Sequence, residues 1–200
     1  MSQLSISYLK EGSKSTEPLL EICGITVKQG AVSIINNFSF SLYKGDQVKI
    51  TGPNGSGKTT LLNAIAGIGD GEIVSGDVFI NGKIVTEEPT YKRVHNSIIY
   101  MTQLNNIFSN LTVKDNLIMA LGPMGPEILY NEFPEWNNDL KLNKIAGQLS
   151  GGQIKKLALV MSLGRYQSEQ IVMLDEPTAG LQGKLPNMLE HVNLIMITHD

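Results

Sequence analysis

The chain contains a single cysteine, Cys23, in 200 residues, so no disulfide can form within it. That fits a reducing compartment and excludes a disulfide-stapled secreted scaffold. Basic charge is also scarce: 16 lysines and arginines stand against 19 aspartates and glutamates, a net charge of −3. A protein that wraps duplex DNA draws affinity from excess cations on phosphates, so no nucleic-acid partner is expected. No apolar run approaches the roughly 18 residues a spanning helix needs. The polar opening MSQLSISYLKEGSKSTEP also lacks the apolar segment of a signal peptide, so the chain is expected to be soluble. Repeats and low-complexity tracts are missing too. What is there has the size and composition of one globular domain, 42% hydrophobic and 18% charged, enough to bury a core.

Residues 1–17 mix Ser, Lys, Glu and Gly without a sustained period; with Pro18 they are expected to form a flexible N-terminal extension, 1–18, ahead of a domain spanning 19–200. From Leu19 to Ile50 the apolar stretches Leu19 to Ile25, Val32 to Ile35, Phe38 to Leu42 and Gln47 to Ile50 are separated by turn formers and predict consecutive strands. A helix is expected over Lys58 to Ala66, ended by Gly67, Gly69 and Gly71. Gly76 to Val85 reads as strand, with Asn81-Gly82 as a hairpin turn. Ser97 to Met101 has strand length, and 104–147 carries helical patterning interrupted by Pro123, Pro126 and Pro134, a helical insertion. Ile154 to Leu163 reads as a helix, and Ile171 to Leu174 and Leu194 to Ile197 as fully buried strands. The class is α/β with a patch of antiparallel strands.

Gly52-Pro53-Asn54-Gly55-Ser56-Gly57-Lys58-Thr59 matches G-x-x-x-x-G-K-[ST]. Its setting is the one the chemistry requires: Val48 and Ile50 precede it as a strand and an amphipathic helix follows. Glycines let backbone N–H groups turn onto phosphate oxygens, and the helix N-terminus adds partial positive charge. Lys58 would neutralise the β- and γ-phosphates, and Thr59 would offer its hydroxyl to Mg²⁺. Binding of a nucleoside triphosphate is the expectation.

Ile171-Val172-Met173-Leu174-Asp175-Glu176 is an apolar strand ending in two carboxylates, at the end where parallel strands open on a ligand crevice. Asp175 can hold Mg²⁺ through water, and Glu176 can orient and deprotonate an attacking water. Leu149-Ser150-Gly151-Gly152-Gln153 offers a serine N-cap, two glycines and free backbone N–H groups before a helix. By itself it is either a second anion site or an ordinary capped helix start.

Taken in order, Gly52 to Thr59, Gln103, Leu149 to Gln153, Ile171 to Glu176 and His199 resemble the ATP-binding subunit of ABC transporters, over about residues 19–200. The resemblance implies an α/β P-loop NTPase core with a mainly parallel central sheet, an antiparallel β subdomain and a helical subdomain. It adds Thr60 to the nucleotide-binding residues. It implies that two subunits sandwich two ATP molecules head to tail, so that the signature Leu149, Ser150, Gly151, Gly152 and Gln153 of one chain serves the other chain's ATP, with Ser150, Gly151 and Gly152 contacting the γ-phosphate bound by the other chain's Lys58. Gln103 would approach Mg²⁺ and the attacking water, His199 would contact the γ-phosphate, and 104–147 would face a transmembrane partner subunit. His95 and His191 match no motif and read as surface residues.

The implied function is ATP hydrolysis powering transport across a membrane, with the subunit cytoplasmic and held on the inner face of the cell membrane through its partners. Alternatives are a soluble ABC-type ATPase of DNA repair or translation, or a non-hydrolysing ATP-dependent assembly module. Two positions depart from the family pattern. Gln29 stands where members place an aromatic that stacks on adenine, so base-selective binding weaker than the family norm is expected. Gln182 follows Leu181 where members carry an aspartate that helps couple the two sites. The segment between Glu176 and His199 is shorter than the pattern leads one to expect, and the chain stops one residue later, so a fragment or a sequence lacking residues is expected.

Overall fold

The computed structural model describes residues 4–12, 17–95, 97–102, 107–177 and 186–198. These form two compact units, 1–100 with 168–175 and 192–200, and 101–167 with 176–191.

The first unit contains two sheets. One has five strands in the order β1 (Ser5–Lys10), β4 (Gln47–Thr51), β9 (Asn193–Ile197), β8 (Ile171–Asp175) and β7 (Ile98–Met101). β4, β9 and β8 run parallel, in a register that sets Val48 beside Ile195 and Ile195 beside Met173. Every residue of β8 and β9 is buried, which is why their sequences are continuous apolar runs and not alternating ones. β1 corrects the sequence expectation of a flexible extension: it pairs antiparallel with β4, Ile6 opposite Ile50 and Tyr8 opposite Val48, and Leu4 and Ile6 pack on the core. Too few alternating residues occur there to signal a strand; the free edge of β4 supplies the hydrogen bonds that make one.

The second sheet has the order β3 (Val32–Leu42), β2 (Leu20–Gln29), β5 (Glu72–Ile80) and β6 (Lys83–Ile84), all antiparallel. The two strands expected at Val32 to Ile35 and Phe38 to Leu42 are one bent strand. Asn37 takes a left-handed conformation, φ 47°, and its N–H donates to Thr26 Oγ1, so the ladder continues through the bend. β2 bends opposite at Gly24, φ 60°, which moves its buried residues from Leu20 and Ile22 to Ile25 and Val27. Asn81 and Gly82, at φ 50° and 71°, make the expected tight hairpin turn, but β5 begins at Glu72, ahead of the expected Gly76. Helix α1 (Lys58–Ala66) buries Leu61, Leu62, Ile65 and Ala66 and ends at Gly67 in a left-handed C-cap. A short helix, α2 (Thr90–Val94), has no counterpart in the sequence reading. It is fixed by buried Arg93, whose guanidinium donates to the carbonyls of Ala64, Thr86 and Glu88.

The second unit is helical where described. α3 (Val113–Leu121) starts in a capping box of Thr112 and Asp115. α4 (Gly125–Glu132) carries Pro126 in its first turn, and a 3₁₀ turn begins at Pro134. Both prolines therefore occupy starts, where their missing N–H costs nothing. α5 (Gly151–Leu163) begins three residues ahead of the Ile154 expected from the apolar period.

Candidate functional site

β4 delivers the chain into the glycine loop at Gly52, and α1 leaves it at Lys58. Gly55 and Gly57 lie at φ 76° and 93°, where side chains are rarely accommodated. Gly57 is also held by space: a β-carbon there would lie 2.8 Å from side-chain atoms of Ile34 and Ile35. Gly57 caps α1 with no side-chain hydrogen bond, so no cap side chain competes for the first N–H groups of the helix. Pro53, Asn54, Gly55 and Thr59 are exposed, and Gly52 and Thr60 half-buried.

Lys58 is buried, and its ammonium donates to the carbonyls of Gly52 at 2.7 Å and Pro53 at 3.1 Å. The charge is thereby held over the loop by weak partners that an anion can replace. Ser56 Oγ is buried with no hydrogen-bond partner among the described residues. Thr59 Oγ1 donates to Asp175 Oδ2 at 2.8 Å, across 116 residues of sequence. Two side-chain oxygens from the helix start and the strand end thus converge, and both are of the hard type that Mg²⁺ takes. At the end of β7, Tyr100 donates to Asn63 Oδ1 at 2.9 Å. Burial first, and then the charge of Asp175, raises its phenol pKa, so Tyr100 stays a neutral donor beside this carboxylate.

The second unit presents the other motif. Ser150 caps α5 as expected: its Oγ accepts from Gln153 N, and Gln153 Oε1 accepts from Ser150 N at 3.0 Å. The Ser150 hydroxyl thus keeps its own proton free to donate. Gln153 Nε2 donates to the Asp139 carbonyl at 2.9 Å, and Lys156 pairs with the Asp139 carboxylate at 2.5 Å, so the helix start is tied to the segment before it. Gly151 is exposed, with open space where a β-carbon would stand. Glu176 follows Asp175 directly, at φ 52°, and its carbonyl accepts from Lys155 Nζ at 2.6 Å. The sequence reading missed Lys155. Its signal was a lysine one helical turn before Leu159, on the buried face of α5. Gln103, His199 and Gln182 lie outside the described residues.

The ABC transporter family profile matches residues 35–179. The chain is 36% identical to the probable branched-chain amino acid transport ATP-binding protein LivF of Archaeoglobus fulgidus, over 82% of this chain and 72% of that protein. It is 32% identical to the spermidine/putrescine import ATP-binding protein PotA of Legionella pneumophila, over 92% of this chain. It spans about half the length of that relative, 53%. Two solved ATP-binding cassettes of ABC transporters superpose with TM-scores of 0.72 and 0.69, each at 24% identity and covering 92% of this chain and 82% of the other, a likeness of fold. With its α/β cassette fold and its glycine loop leading into α1, the chain belongs to the ABC transporter family, as one of its ATP-binding cassettes.

Proposed function

We propose that this chain hydrolyses ATP and passes the work to a transmembrane partner, as the energy-supplying subunit of a transporter. The observation that carries the reading is the convergence of Lys58, Thr59 and Asp175 at one glycine loop, with the lysine donating to the carbonyls of Gly52 and Pro53. The relatives named as transport and import ATP-binding proteins support the transport half.

The residues divide the work as follows. Backbone N–H groups from Asn54 to Thr60 cradle the phosphates, aided by the uncapped start of α1, while Gly52 and Pro53 shape the loop. Lys58 exchanges its bonds to Gly52 and Pro53 for bonds to phosphate oxygens, where its charge opposes the charge that develops in transfer. Mg²⁺ would be held by Thr59, Asp175 and Gln103, and when bound it supplies charge neutralisation at the phosphates. Glu176 orients a water and takes its proton, and His199 contacts the γ-phosphate. Ser150, Gly151 and Gly152 serve the ATP of a second copy or a related subunit, which gives the chain a use for two anion sites. This placement keeps the chain cytoplasmic and on the membrane only through its partner; among the described residues no helix is long and apolar enough to cross a bilayer.

The test is ATP turnover by the purified chain. Glu176→Gln is expected to lower turnover by roughly 10²- to 10⁴-fold, the range for a general base, with ATP binding kept. Lys58→Ala is expected to lose binding and turnover together. Full turnover in both variants would overturn the assignment of the site. For transport, the chain is purified from native membranes: a stoichiometric polytopic partner supports it, and exclusively soluble or ribosomal partners overturn it.

A further inference from the structure

Lys155 is 5% exposed on the second turn of α5, on the face that also buries Ala158 and Leu159. An ammonium is not taken out of water without strong compensation. The ammonium donates at 2.6 Å to a main-chain oxygen, the carbonyl of Glu176. That short, charge-assisted bond therefore acts on the path of the backbone at the glutamate.

The backbone there needs holding. Glu176 sits at φ 52°, one of three non-glycine residues with positive φ among those described, and unlike Asn37 and Asn81 it is not of a type that tolerates the left-handed region. Such a conformation persists only where the surroundings over-determine it. β8 anchors one side, ending at Asp175, and buried Pro177, with its ring-fixed φ, stands on the other. The direction of a side chain leaves with its Cα–Cβ bond, so the φ of Glu176 decides where its carboxylate points. Relaxation toward the extended region would carry the next carboxylate in line with the strand and away from this aim.

We propose that Lys155 is a positioning residue for hydrolysis: by gripping the Glu176 carbonyl it locks the left-handed turn that aims the Glu176 carboxylate. The inference rests on the reading of Glu176 as the base. Misplacement of a reacting group by about 1 Å costs on the order of 10²-fold in rate. Lys155→Met, which keeps the stem and removes the donor, is accordingly expected to lower single-turnover ATP hydrolysis by roughly 10- to 100-fold, with the ATP dissociation constant within about twofold of wild type. Lys155→Arg, which restores a donor, is expected to recover most of the rate. In a Glu176→Gln background, Lys155→Met is expected to remove nothing further, because the group it aims is already gone.

Wild-type turnover in Lys155→Met, with Glu176→Gln inactive, overturns the proposal and leaves the base assignment standing. So does a Lys155→Met that loses affinity as much as rate, or that adds its full loss on top of Glu176→Gln, since both mark a merely structural lysine. Wild-type turnover in Glu176→Gln overturns the base assignment itself. If Lys155→Met does not fold, Lys155→Gln is measured by the same criteria.

Discussion

Gly57 is the residue at which the phosphate loop tolerates least. Its φ of 93° and the 2.8 Å approach of Ile34 and Ile35 penalise any side chain twice, in the backbone and in space. Gly57→Ala is expected to cost about 1–3 kcal/mol from the backbone alone, measured by urea unfolding, with nucleotide affinity falling alongside as the loop shifts. Gln29 carries a different expectation. It ends β2, exposed, paired across the hairpin with Val32. An aromatic contact with a base is worth about 1–3 kcal/mol, so a chain with glutamine there should bind MgATP and MgGTP with similar dissociation constants. A strong preference for ATP would show that another group reads the base.

At the scale of elements, buried polar side chains hold the loops that hydrophobic pattern leaves undetermined. Asn116, fully buried on α3, accepts from Phe108 N at 2.7 Å and donates to the carbonyls of Phe108 and Thr112 at 3.0 and 2.9 Å. It treats residue 108 as a neighbouring strand would, satisfying both backbone groups. Asn116→Leu, close in size but without donors or acceptor, strands those groups and is expected to destabilise the fold by about 2–3 kcal/mol in chemical denaturation. Arg93 fixes α2 by the same device, with three carbonyls from two preceding segments. Neither partner set can be read from spacing, because each joins residues by contact and not by period. Strand ends show the same limit: nothing in Asn36-Asn37 says whether β3 stops or bends, and it bends because Thr26 on β2 takes the free N–H.

At the scale of the whole molecule, the two motifs that resemble anion sites lie in different compact units, the glycine loop in one and Ser150 to Gln153 in the other. If the second motif serves a second copy, Glu176→Gln should pair in the presence of MgATP and separate without it, by light scattering on a sizing column. Adding Ser150→Arg, which fills the open helix start, should abolish pairing while leaving ATP binding by the isolated chain intact. Pairing unaffected by that change would remove the motif from the interface.

The glycine loop, the apolar strand ending in Asp175 and Glu176, the capped start at Ser150 and the helix at Lys58 were all determined by local sequence. In each, residue type and spacing carry the physics: glycine for positive φ, an unbroken apolar run for a strand buried on both faces, a serine to cap a helix. Tertiary structure decided what local pattern does not encode. β1 formed because β4 offered an edge, Thr59 met Asp175 across 116 residues, and a buried lysine found the carbonyl of Glu176. These are long-range pairings of polar groups, and their cost and their compensation exist only once the core has closed around them.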